Sequence, residues 1–105
     1  MDNLEDKNTR TLFLRNVDYN ATEEDLRDIP EFKAAIDVKI PTDKDTGRPR
    51  GYGFIEYTTS MECNAAMTQL ASQGPVQLGE YTIIWEKMIV VHFFNRKLVR
   101  KYSSN

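Results

Sequence analysis

Aromatic and charged side chains alternate in the segment 50–57, which reads Arg-Gly-Tyr-Gly-Phe-Ile-Glu-Tyr. In a strand, alternate side chains point to the same face, so Arg50, Tyr52 and Phe54 share one face and Ile55 points to the other. Rings beside a cation are unusual on a solvated sheet surface, but they suit flat ligands with π faces, and nucleic-acid bases are such ligands. The segment therefore predicts base stacking, with positive charge nearby for phosphate. Glu56 shares this face and could accept a hydrogen bond from a base amino group.

A second segment supplies a third ring. Residues 12–17 read Leu-Phe-Leu-Arg-Asn-Val, so Phe13 and Arg15 fall on one parity of a strand and the leucines on the other. Phe13 is thus expected to join Tyr52 and Phe54 on one surface. The basic residues expected to contact phosphates around these rings are Arg15, Lys39, Arg48, Arg50 and Lys87.

The remaining pattern predicts the elements that position these residues. Thr22 and Asp25 resemble a capping box at the start of a first helix, which Pro30 interrupts. This helix is either short or continues after Pro30 as a second turn. A second helix is expected over about 61–72, with Ala65, Ala66, Met67 and Leu70 inward. Strands are expected at 11–16, 36–40, 50–57 and 81–85, the last with Tyr81, Ile83 and Trp85 favoured for the core over the opposite facing.

This order, βαββαβ, predicts an α+β fold of the ferredoxin-like type: a four-stranded antiparallel sheet with two helices on one face. The other face is expected to stay open and to carry the three rings. We expect a flexible tail over 1–9, one domain over 10–87, and an apolar and then basic extension over 88–105. The apolar run 88–94 could add a fifth strand, fold back over the sheet or bind a partner.

Composition limits the function classes. All 16 acidic residues precede Met88 and four of the 14 basic residues follow it, so a net charge of −2 implies weak long-range attraction for nucleic acid. The single cysteine, Cys63, is expected to be a small buried residue in a reducing intracellular compartment. No apolar run approaches the roughly 20 residues of a membrane span. No nucleophile–base pair, phosphate loop or metal-ligand set is visible, and His92 lies in an apolar run.

Segment 50–57 fits the signature [KR]-G-[FY]-[GA]-[FY]-[ILV]-x-[FY] at every position, and 12–17 resembles the hexamer that accompanies it. From about Arg10 to Lys87 the chain resembles the RNA recognition motif family, although Pro30 and the apolar tail depart from its pattern. The resemblance implies single-stranded RNA across the sheet, with one base on Phe13, a neighbour on Tyr52, Phe54 between two sugars and Arg50 on a phosphate. The family includes nuclear and cytoplasmic members that act at several steps of RNA metabolism. We expect no cofactor and a role in RNA processing or metabolism, with the nucleus favoured over the cytoplasm.

Three function hypotheses follow. The first is non-enzymatic binding of a short single-stranded RNA segment. The second, motivated by the acidic balance and the apolar run 88–94, is a protein-interaction module of the same fold within a ribonucleoprotein complex. The third, a small enzyme on the same plan such as an acylphosphatase, lacks a phosphate loop after the first strand.

Overall fold

Within residues 6–90, the sheet is built from five strands and is accompanied by two α-helices, α1 (Glu23–Arg27) and α2 (Ser60–Gln73). The fold comes from a computed structural model, which describes residues 6–90. A 3₁₀ helix at Lys7–Thr9, called here the N-terminal turn, precedes the first strand, and residues 88–90 are helical after the last one. The elements between them are β1 Thr11–Arg15, α1 Glu23–Arg27, a 3₁₀ helix Pro30–Phe32, β2 Asp37–Lys39, β3 Tyr52–Glu56, α2 Ser60–Gln73, β4 Val76–Leu78 and β5 Tyr81–Lys87.

The strands form one antiparallel sheet in the order β2-β3-β1-β5-β4. This confirms the predicted ferredoxin-like βαββαβ arrangement. The sheet has one strand more than expected, because Val76–Leu78 pairs with the start of β5 across a turn at Gly79 and Glu80. The two motif strands, β1 and β3, lie side by side near the centre of the sheet. A central position buries their backbones and fixes the register of the side chains they carry.

Local sequence explains the helix boundaries. The Thr22 side chain accepts from the Asp25 backbone N–H, and the Asp25 carboxylate accepts from that of Thr22, which completes the predicted capping box. Pro30 removes a backbone donor, so α1 ends after five residues and the chain continues as a 3₁₀ turn. The first helix is therefore both short and followed by a second turn. Thr59 caps α2, and Gly74 follows its end with a φ of 91°.

The core lies between the helices and one face of the sheet. Leu12, Leu14 and Ile55 from the strands are fully buried, and Leu26 and Phe32 cover them from α1 and the turn after it. Helix α2 adds further buried side chains: Cys63, Ala66 and Leu70. The alternation of buried and half-buried residues in β3 shows that its other face is only partly covered.

Two of the side chains predicted to face the core do not. Tyr81 begins β5 and is 45% exposed, although Ile83 is buried and Trp85 packs against the core as predicted. Ala65 points to solvent, since the buried stripe of α2 has i, i+3, i+7 spacing from Cys63 and Ala65 falls outside it.

The structure describes a few residues beyond each predicted end of the domain. Residues 7–9, expected in a flexible tail, form a turn capped by the Asp6 side chain, and the Lys7 carbonyl accepts from the Thr11 hydroxyl. This hydrogen bond joins the N-terminal turn to β1, and the domain limits 10–87 stay a prediction. After β5 the chain is helical at 88–90, so the fifth-strand alternative fails for these three residues. The rest of the predicted extension lies outside the described residues.

Candidate nucleic-acid interface

Three aromatic rings meet on the sheet face opposite the helices. Phe13 of β1 lies directly across from Phe54 of β3, and Tyr52 is the next β3 residue on that face. The ring centroids are 5.5 Å apart for Phe13–Phe54, 5.6 Å for Phe13–Tyr52 and 5.8 Å for Tyr52–Phe54. All three rings are half-buried. The predicted set is thus one contiguous aromatic surface, called here the ring cluster.

The rings are mutually tilted and do not form a flat plate. Phe13 is inclined at 44° to Tyr52 and 47° to Phe54, and Tyr52 meets Phe54 edge to face at 84°. Such arrangements are preferred because the positive edge of one ring faces the negative face of another. Separate rings with different planes can each receive a base, so the cluster suits a strand whose bases are splayed apart.

Two glycines allow β3 to present these rings. Gly51 has a φ of 90°, which favours glycine, and its backbone carbonyl accepts from the Val17 backbone N–H. Gly53 is buried on the helix side, where a Cβ would lie 3.0 Å from the backbone oxygen of Lys39 and 3.6 Å from Leu26. The two glycines therefore serve the turn before β3 and the close approach of the Lys39 carbonyl of β2, and the rings carry the surface chemistry.

Two of the predicted basic residues flank the ring cluster. Lys39 on β2 lies across from Phe54, on the predicted open face, and its ammonium is 3.8 Å from the Asp37 carboxylate. Arg15 on β1 lies across from Tyr52, with its guanidinium 3.6 Å from the Glu86 carboxylate. Both side chains are more than half exposed. Each cation can therefore exchange a loose, solvated ion pair for a phosphate at small cost.

Arg48 and Arg50 precede the start of β3. The strand begins at Tyr52, and the positive φ of Gly51 breaks the alternation from which the facing of Arg50 was predicted. Both arginines line a polar concavity of about 730 Å³ together with Tyr19 and Asp43. The pKa of Asp43 is lowered, chiefly because its carboxylate accepts from the backbone N–H groups of Asp45 and Thr46, with a smaller contribution from Arg50.

Lys87 does not lie with this group. It pairs with Leu12 in the sheet and therefore points to the helix side, where its ammonium donates to the Asn64 side chain of α2 at 2.6 Å. The prediction that Lys87 extends the positive track on the open face is wrong in its geometry. The residue preceding it, Glu86, occupies the open face across from Phe13.

The open face has contributors that the motif does not reveal. Ile84 lies across from Arg15 and is 49% exposed, so it extends the surface onto β5. Its facing follows once Ile83 and Trp85 are assigned to the core, because neighbours in a strand point to opposite faces. The N-terminal turn also reaches this face. Its sequence signal is Asp6, whose side chain accepts from the Asn8 backbone N–H, because aspartate commonly caps a turn in this way.

Glu56 is already engaged. Its carboxylate accepts from the Arg10 guanidinium at 2.6 Å and lies 3.7 Å from the Lys7 ammonium, and its side chain is 14% exposed. Arg10 also donates to the Tyr57 carbonyl. The Glu56 charge is thus balanced within the chain, and its predicted role as an acceptor for a base amino group is restricted.

The described residues offer no metal centre and no reactive thiol. No group of three or more His, Cys, Asp or Glu within 6–90 is placed to hold a metal ion. Cys63 is buried as predicted, and burial raises the pKa of its thiol. His92 lies outside the described residues. Within the same range, no helix has the length and apolar character needed to cross a membrane.

Sequence comparison gives relatives for part of this chain. The cleavage stimulation factor subunit 2 tau variant of Homo sapiens is 39% identical over 66 residues, which are 62% of this chain and 11% of that protein. Nucleolin of Gallus gallus is 36% identical over 79 residues, which are 75% of this chain and 11% of that protein. The chain thus spans about a tenth of the length of these relatives.

Solved structures share the arrangement of strands and helices. The RRM of RNA15 superposes with a TM-score of 0.60 at 29% identity, covering 73% of this chain and 86% of that one. The second RRM domain of yeast poly(U)-binding protein gives 0.61 at 26% identity, covering 73% and 90%. The family model for the RNA recognition motif matches residues 12–74, more than half of the chain and both motif strands. The ring cluster, the βαββαβ order and this match together show that the chain belongs to the RNA recognition motif family.

Proposed function

We propose that this domain binds a short segment of single-stranded RNA on the ring cluster, without catalysing a reaction. The observation that carries the proposal is the contiguity of Phe13, Tyr52 and Phe54, whose centroids lie within 5.8 Å of one another on the face opposite the helices. One base would stack on Phe13 and a neighbour on Tyr52, with Phe54 between the sugars. Stacking on such rings contributes about 1–3 kcal/mol per base.

The charges around the rings support a strand of nucleotides as the ligand. Arg15 and Lys39 flank the cluster, and Arg48 and Arg50 lie on the segment before β3, so cations border the rings on more than one side. Several of these cations have acidic neighbours, and the whole chain carries −2. We therefore expect stacking to supply more of the affinity than phosphate attraction, and a modest affinity for this domain alone.

The setting we propose is RNA processing, in the nucleus. Relatives of this chain include cleavage stimulation factor subunits and nucleolins, and a protein of the same fold, Hrp1, has been solved in complex with RNA. These relatives support the proposal at the level of the process. Because the chain matches only about a tenth of the length of these relatives, we do not assign their partners or their full activities to it.

The test removes one ring at a time. Phe13→Ala and Tyr52→Ala are each expected to weaken binding of labelled oligoribonucleotides by about 5- to 150-fold, because each deletes the stacking surface for one base. Titrations followed by fluorescence anisotropy at fixed salt measure the change. Tyr52→Phe keeps the ring and is expected to retain most of the affinity.

Tyr81→Ala is the matched control, because Tyr81 is an exposed tyrosine outside the ring face. It should bind RNA like the parent. Unchanged affinity in both ring variants, with amide spectra showing an intact fold, would contradict the stacking proposal.

The alternative, a protein-interaction module, is motivated by the acidic balance of the chain and by the apolar run 88–94. Only residues 88–90 of that run are described, and Val90 among them is 49% exposed. Truncation after Val90 tests this alternative: loss of binding to a protein partner, with RNA binding retained, would favour it.

A further inference from the structure

A pocket opens on the sheet face beside the ring cluster, at the edge formed by β2 and β3. Its volume is about 340 Å³, at the lower end of the range for small-ligand sites. We propose that this pocket receives one base of the RNA strand and distinguishes bases that carry an exocyclic amino group from uracil. The inference rests on the proposed function, since the strand must first lie on the rings.

Continuity with the ring cluster identifies the occupant. Phe54 belongs to both the cluster and the pocket lining, so a nucleotide that leaves the cluster at Phe54 meets the pocket next. The N-terminal turn supplies one wall through Lys7 and Asn8, and Met88, the residue after β5, contributes apolar surface. A ring, a methionine and a polar rim suit a flat heterocycle with hydrogen-bonding edges.

The charge balance favours a neutral group over a phosphate in this pocket. Two lysines, Lys7 and Lys39, line it together with two acids, Asp37 and Glu56. Glu56 is held by Arg10 at 2.6 Å and approached by Lys7 at 3.7 Å, and Lys39 lies 3.8 Å from Asp37. Because each lysine already lies beside a carboxylate, a phosphate would gain little electrostatic energy in this pocket. An uncharged base incurs no electrostatic penalty on entering it.

Two side chains of the pocket have hydrogen-bonding groups that can contact the edge of a base. The Asn8 amide makes no side-chain hydrogen bond to residues within 6–90, and it can both donate and accept. Among residues 6–90, the Asp37 carboxylate has one long ion pair, with Lys39, and its side chain is 42% exposed. A carboxylate accepts and cannot donate, so it favours an exocyclic amino group and repels the carbonyl oxygen that uracil presents at the same position.

The experiment compares cytosine with uracil, which differ at that position. A five-uridine oligonucleotide and its five single uridine-to-cytidine versions are titrated against the parent protein at one salt concentration. We expect one position at which cytidine binds about tenfold more tightly, the effect of one hydrogen bond to a charged group. The preference at that position should fall towards unity in Asp37→Asn, and Asn8→Ala should weaken binding most there.

Asp28→Asn is the matched control, because Asp28 is an exposed aspartate at the end of α1, away from the sheet face. It should keep the cytidine preference. Parent-like discrimination in Asp37→Asn, or no discriminating position in the parent, overturns the pocket assignment while leaving stacking intact. If the parent binds none of the oligonucleotides, or if Tyr52→Ala binds them all like the parent, the proposed function itself fails and the pocket assignment fails with it.

Discussion

At the scale of single residues, Tyr57 joins two parts of the chain that are distant in sequence. It follows β3, is 1% exposed, and its hydroxyl donates to the Glu31 backbone carbonyl at 2.7 Å. Burial raises its pKa above the ordinary value of 10.0. The bond ties the turn after α1 to the end of the strand that carries Tyr52 and Phe54. It also satisfies a carbonyl beside the Glu31 carboxylate, whose Oε2 atom is buried without a partner among residues 6–90.

Tyr57→Phe is expected to lower the free energy of unfolding by about 1 kcal/mol, because a buried carbonyl loses its donor. The raised pKa adds a pH dependence. The hydroxyl stays protonated in the folded state, so its contribution is complete below about pH 10 and declines as the pH rises from there towards the folded-state pKa. Urea unfolding at pH 7 and between pH 10 and 11 measures both effects.

In that alkaline range the parent should lose stability more steeply than the phenylalanine variant. Equal slopes in the two proteins would show that Tyr57 does not titrate differently on folding. Tyr81→Phe, at an exposed site, controls for the loss of a hydroxyl.

At the scale of elements, α1 depends on its cap. Its five residues are far fewer than the 12–15 or so that an isolated helix needs in water, so it persists through the capping box and the burial of Leu26. The helix covers the helix side of β3, with Leu26 within 3.6 Å of the position a Gly53 Cβ would take. Loss of α1 would therefore expose the back of the strand that presents two of the three rings.

Thr22→Ala is expected to destabilise the domain by about 1 kcal/mol, because the Asp25 backbone N–H loses its side-chain acceptor. Chemical denaturation of the two proteins measures the difference. Thr68→Ala is the matched control: its hydroxyl donates to the Asn64 carbonyl within α2, and alanine favours helix there, so the change should be neutral or slightly stabilising. A Thr22 variant as stable as the parent would show that packing alone holds α1.

At the scale of the whole molecule, the distribution of charge decides how RNA binding responds to salt. The chain carries −2, and its acidic side chains pair with several of the cations on the binding face. Arg48 and Arg50 lie on the segment before β3, and Arg48 makes none of the ion pairs found within residues 6–90. We therefore expect the affinity for RNA to fall only slowly as the salt concentration rises, and we expect Arg48 to contribute measurably to that fall.

Arg48→Ala is expected to weaken binding to different RNA sequences alike and to reduce the slope of log affinity against log salt by about 0.7, the value for one phosphate contact on a single strand. Titrations at four salt concentrations give the slope. Lys33→Ala, an exposed lysine after the 3₁₀ turn on the helix side, should leave it unchanged. A slope equal to the parent's in the arginine variant would remove Arg48 from the phosphate-binding set.

Much of the fold and the centre of the candidate site were predictable because they depend on neighbours in sequence. Strand alternation placed Phe13, Tyr52 and Phe54 on one face, the Thr22–Asp25 spacing located the start of α1, and Pro30 marked its early end. These features follow from backbone geometry within a few residues. Where alternation was extended past a glycine of positive φ, at Arg50, the same rule no longer applied.

What the linear order could not supply is which distant side chains meet. Lys87 pairs with Asn64 across 23 residues of chain, and Arg10 reaches Glu56 across 46. Asn64 and Glu56 are common polar residues, and no sequence pattern identifies them as the partners of Lys87 and Arg10. The pocket beside Phe54 likewise forms only when the N-terminal turn, β2 and Met88, which follows β5, come together. Local periodicity thus determines which face a residue occupies, whereas its neighbours on that face depend on packing between segments far apart in the chain.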